Sequence, residues 1–109
     1  MSFCSVYVTC ATLDEARKIG RALVESRLAA CANILPGIES IYWWEGRVQA
    51  DNEVALIVKT QAELLDAVIA KVRSLHSYTC PCVVAWPIAA GHPAYLDWVA
   101  RETIEPRAI

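Results

Sequence analysis

Glu53-Val54-Ala55-Leu56-Ile57-Val58-Lys59-Thr60-Gln61-Ala62-Glu63 is the stretch that decides the fold. Its five unbroken apolar residues, three of them β-branched, read as a strand buried on both faces rather than one lying half in water. Thr60-Gln61-Ala62-Glu63 then has the spacing of a capping box, which predicts that a helix starts directly behind the strand. Leu64, Leu65, Val68, Ile69, Val72 and Leu75 supply that helix with a one-sided apolar stripe.

Upstream, Cys31 to about Trp44 reads as a second strand, interrupted by Pro36-Gly37 at a bend or bulge. Glu45-Gly46 suits the turn into the strand that ends in the deciding stretch. Phe3–Cys10 reads as an opening strand, and Thr12-Leu13-Asp14-Glu15 as a capping box that starts a helix carrying Ala16, Ile19, Gly20, Leu23 and Leu28 on one side. Downstream, about Cys82 to Ile88 is a fourth strand, and Gly91-His92-Pro93 opens a short helix with Tyr95, Leu96, Trp98 and Val99. The order β-α-β-β-α-β plus a terminal helix predicts an α+β, ferredoxin-like antiparallel sheet with two helices on one face.

The 109 residues have the length of one domain, with no linker composition to divide residues 1–109. Hydrophobic residues make up 56%, more than a small soluble domain usually carries. No run approaches the ~18 apolar residues of a membrane span, so a membrane partner is not expected. The net charge of −2 gives no broad attraction for nucleic acid. The spare apolar surface is instead expected to meet another subunit. Val83-Val84-Ala85-Trp86 is apolar throughout, and Tyr42-Trp43-Trp44 presents rings in both directions, because side chains alternate along a strand.

Five cysteines, at 4, 10, 31, 80 and 82, give an odd count. With no basic leader at the start, this fits a reducing, cytoplasmic setting better than a disulfide framework. A free cysteine also serves as a small buried apolar residue. Cys80 and Cys82 are two apart, and on a regular strand would face opposite ways; Pro81 loosens that expectation.

Four strings carry a family resemblance: Ala29-Ala30-Cys31-Ala32-Asn33, Tyr42-Trp43-Trp44-Glu45-Gly46, Glu53 to Thr60, and Tyr95-Leu96-Asp97-Trp98. In order and spacing the chain resembles the CutA divalent-cation tolerance family over nearly its whole length. Cys10 falls where many members carry a cysteine. Where many read H-P-Y-E-x-P-E, this chain has His76-Ser77-Tyr78-Thr79-Cys80-Pro81-Cys82, with Thr79 and Cys82 at the acidic positions.

The resemblance implies a homotrimer without a required cofactor, and a role in divalent-cation tolerance that for some members is associated with copper. It places metal ligation at Cys10, Cys31 and His76, and Cys82 adds a further sulfur. Thiolate and imidazole donors favour copper or zinc over hard ions. A histidine at a helix C-terminus is also favourable against the helix dipole without any metal. Enzymatic activity is not expected: there is no Gly-rich phosphate cradle, and nothing in the sequence orients a Cys31–His76 nucleophilic pair. The family's likeness in fold to PII signalling proteins implies an alternative, a trimer binding a small effector in clefts lined by residues such as Glu53, Lys59 and Tyr78.

Overall fold

The computed structural model describes residues 1–108. Four strands, β1 (Phe3–Cys10), β2 (Cys31–Trp44), β3 (Arg47–Gln61) and β4 (Val83–Pro87), alternate with helices α1 (Leu13–Glu25), α2 (Leu65–Leu75) and α3 (Pro93–Glu102). The strands form one antiparallel sheet in the order β2-β3-β1-β4. This is the α+β, ferredoxin-like arrangement read from the sequence.

Alternation along β1 shows how the sheet is covered. Cys4, Val6, Val8 and Cys10 are buried, whereas Phe3, Ser5, Tyr7 and Thr9 are only partly so. The buried set joins Leu56 and Val58 of β3, Ile19 and Leu23 of α1, and Val68 and Val72 of α2 in the core. α1 comes closest to the sheet at Gly20, where a Cβ would lie 3.1 Å from a Leu56 methyl and 3.2 Å from the Ala32 Cβ. A Cβ there would require its neighbours to give by a few tenths of an ångström.

The outer face is covered only at one end. There α3 buries Val99, and Gln61 Nε2 donates to the Thr103 hydroxyl at 2.8 Å. Further along, Val84 and Trp86 remain exposed, with Trp86 edge-on to Tyr7 at 5.5 Å between ring centres. The unbroken run of β4 is thus clothed on one side and bare on the other.

On the near side of residue 54, Ile38–Trp44 of β2 and Arg47–Glu53 of β3 leave β1 behind and form a two-stranded arm closed by the turn at Glu45-Gly46. Both turn residues have positive φ, 51° and 75°, the backbone of a type I′ hairpin whose twist matches its strands. The arm is exposed on both sides: Ile41, Trp43 and Val48 keep 69%, 74% and 58% of their surface on one face, and Tyr42 and Trp44 keep 37% and 48% on the other. The interruption at Pro36-Gly37 is a bulge, with Gly37 at φ 82°. Before it, odd residues of β2 share a face with odd residues of β3; after it, even residues do.

The two caps came out differently. Thr12 accepts the Glu15 N–H at 3.1 Å, while the Glu15 carboxylate reaches back to the Ala11 N–H at 3.3 Å, one residue before the cap. Thr60 caps nothing. It is fully buried and donates its hydroxyl to the Leu28 carbonyl at 2.6 Å, so the second helical segment opens as a 3₁₀ turn, Ala62–Leu64, behind Gln61 without a side-chain cap. Tertiary burial claimed the hydroxyl that local spacing had assigned to the helix.

Candidate metal centre and the adjoining groove

β1 ends at Cys10, and α1 begins three residues later. The first turn of that helix swings Glu15 back over the strand end, and the C-terminus of α2 brings His76 to the same place. The result is a Cys10, Glu15 and His76 cluster whose candidate ligand atoms all lie within 4.8 Å of one another. Cys10 and the His76 side chain are fully buried, and Glu15 is 13% exposed at its side chain.

Hydrogen bonds hold every polar member. His76 Nδ1 accepts the Tyr78 N–H at 3.0 Å, so the ring proton sits on Nε2 and is donated to the Thr9 carbonyl at 2.8 Å. Glu15 accepts from the Ala11 N–H through one oxygen and from the Ser77 N–H at 3.0 Å through the other. Among the described residues, no buried side-chain nitrogen or oxygen lacks a partner. Burial works to raise the Glu15 carboxyl, but the hydrogen bonds from Ser77 and Ala11 and the nearby imidazole outweigh it, and the net direction is down. The Cys10 thiol is pushed up to about 12, first by burial and then by the charges of Glu15 and Glu53. At neutral pH the thiol is therefore protonated and the carboxylate ionised, and His76 Nδ1 faces the Tyr78 N–H.

The donor chemistry of sulfur, imidazole nitrogen and carboxylate oxygen suits zinc or copper. An incoming ion must displace the thiol proton and draw Nδ1 away from the Tyr78 N–H. The residues fit such an ion in kind, and the hydrogen bonds set the cost of entry.

The structure does not bring the other two sequence-predicted ligands into this cluster. Cys31 opposes Lys59 in the register, whereas Cys10 opposes Val54. They stand five residues apart along β3, roughly 16 Å at ~3.3 Å per residue, and on opposite faces. Cys31 Sγ lies 3.2 Å from the Tyr95 hydroxyl under α3. Cys82 is partly buried near Glu53 and Thr9; burial and Glu53 raise its thiol, against a hydrogen bond from Thr9. Cys80 is exposed.

Glu15 was missed as a ligand because its capping role already accounted for it. The signal was nonetheless present: a glutamate at the start of a helix that follows a strand directly must return its carboxylate toward the strand end, where Cys10 stands.

Next to the cluster lies a groove of about 770 Å³, lined among others by Tyr42, Trp44, Asp51, Glu53, Tyr78 and Cys82. The Tyr78 hydroxyl donates to Glu53 at 2.7 Å, and the Tyr42 hydroxyl donates to Asp51. Burial first and the Glu53 hydrogen bond second push the Tyr78 phenol upward. Lys59, named with Glu53 and Tyr78 as a residue of an intersubunit cleft, does not line this groove; its amine donates to Asn33.

Comparison with known proteins gives a consistent picture. Residues 4–102 match the family described as CutA1 divalent ion tolerance protein. The divalent-cation tolerance protein CutA of Archaeoglobus fulgidus is 47% identical over 100 residues, covering 92% of this chain and 96% of that protein. The Thermus thermophilus protein of the same name is 48% identical over 98 residues, covering 90% and 95%. The crystal structure of CutA1 from Oryza sativa superposes with a TM-score of 0.94 at 44% identity, over 96% of each chain. The chain spans only about 56–58% of the length of the rice chloroplastic and mouse CutA proteins it also matches.

Proposed function

The chain belongs to the CutA1 divalent ion tolerance family, and from that premise we propose that it serves cation tolerance by reversibly holding a soft ion, copper or zinc, at Cys10, Glu15 and His76. The observation that carries this reading is the convergence of three different donor types within 4.8 Å at the end of one strand. Three protein donors leave a fourth position to water or an exchanging ligand, which suits passing an ion on better than locking it in a structural site. The role is binding without turnover. The five free thiols fit a cytoplasmic, reducing setting.

The working unit we assign is a homotrimer. Support for association is the bare arm and the bare outer face of β4; the number three rests on the family resemblance. Solvent-facing apolar surface on this scale is uncommon in proteins that stay monomeric. A second reading, a trimer that binds a small effector, is favoured by the groove beside the metal centre.

Isothermal titration of the reduced protein with Cu(I) and with Zn(II) tests the metal assignment. Cys10→Ala or His76→Ala should weaken binding by about tenfold or more, in line with the loss of one ligand, while Cys31→Ala leaves it unchanged. Uptake releases the Cys10 proton. Because that thiol is protonated up to about 12, affinity should rise about tenfold per pH unit between pH 7 and 9. Unaltered binding by Cys10→Ala, or affinity flat with pH, removes this site.

A further inference from the structure

We propose that the groove between the arm and the 77–82 loop is a binding site for a small organic cation, specifically a quaternary or methylated ammonium. This rests on the effector reading above and names the ligand class for it. The argument begins with the register. After the bulge, Ser40, Tyr42 and Trp44 of β2 share a face with Asp51 and Glu53 of β3, so two aromatic rings and two carboxylates open onto one side. Tyr78 supplies a third ring from across the groove.

The lining holds two carboxylates and no lysine, arginine or histidine. Arg47, opposite Trp44 in the register, is the nearest cation by pairing and does not line it. Glu15 stands just behind the wall, where its charge and that of Glu53 both act to raise the Cys10 thiol. The field inside the groove is therefore negative, and an anionic effector would enter against it.

The hydrogen bonds narrow the class further. Each carboxylate already accepts a phenol, Asp51 from Tyr42 and Glu53 from Tyr78. These bonds lock both rings in place and leave diffuse negative charge. A cation that needs no hydrogen-bond acceptors and presents methyl groups to ring faces matches such a lining: attraction comes from the π quadrupoles and the carboxylate field together. Trp44, half exposed in the free chain, gives the strongest ring for this contact. A volume of about 770 Å³ lies within the range of small-molecule sites.

The test is isothermal titration of the native oligomer, kept metal-free with chelator, against three probes. These are choline, its neutral isostere 3,3-dimethylbutan-1-ol, and the dianion 2-oxoglutarate. Saturable binding of choline is expected, at least tenfold tighter than the isostere. Trp44→Ala and Glu53→Gln should each weaken it about fivefold or more, while Cys31→Ala, outside the lining, leaves it intact. Equal binding of choline and the neutral isostere overturns the proposal. Saturable binding of 2-oxoglutarate alone overturns the cation class and spares the effector reading. No binding of any probe, as when a second copy of the chain fills the groove, overturns both; the metal titration is unaffected by either result.

Discussion

β3 is two strands in one. From Val54 to Gln61 it runs between β1 and β2 with its even residues in the core; from Arg47 to Glu53 it pairs with β2 alone and lies largely bare. Both halves are hydrogen-bonded ladders, so the ladder is not what separates them. The difference is cover: α1, α2 and β1 bury the first region, whereas the second meets the 77–82 loop at Glu53, through Tyr78, and otherwise lies open. A hairpin with two strands and no apolar cover is marginal in water. The buried half therefore holds the fold, and the bare half is surface that assembly or a ligand can use.

Substitutions can break this contrast, and the largest effect belongs to the buried half. Leu56→Ala should cost about 2–5 kcal/mol in denaturant unfolding, since Leu56 is fully buried and touches the closest approach of α1. A cost below 1 kcal/mol would mean that this half is not where stability resides. Next comes Thr60→Val, which keeps the shape and leaves the Leu28 carbonyl without its buried partner; about 1–3 kcal/mol is expected. The smallest effect on the fold belongs to the arm. Trp43→Glu should change the stability of the unassociated chain by no more than about 0.5 kcal/mol, yet abolish the oligomer in light scattering. A trimer that survives this change refutes the placement of Trp43 in the interface.

The same contrast explains what could be read in advance. Apolar runs such as 54–58 and the Glu45-Gly46 turn are local signals, and they located the strands and the hairpin. Thr12 was legible as a cap because nothing distant competes for its hydroxyl. Thr60 carries the same local pattern, but the carbonyl of Leu28, thirty-two residues away, accepts its hydroxyl's hydrogen bond. The candidate site was half legible for a similar reason. Cys10 and His76 meet, but separating Cys31 from them requires knowing which β3 residue each cysteine opposes, and spacing along the chain does not contain that register.

Gly37 has a consequence that reaches beyond its own turn. As the extra residue in the bulge, it inverts the parity of everything that follows in β2, much as a single inserted base shifts a reading frame. Were it to pair as an ordinary residue of the ladder, the register would slip by one, and Trp43 would turn toward Asp51 and Glu53 while Tyr42 and Trp44 turned away. The one residue there without a side chain thus decides which aromatic rings the acidic groove receives and which are left for a neighbouring subunit.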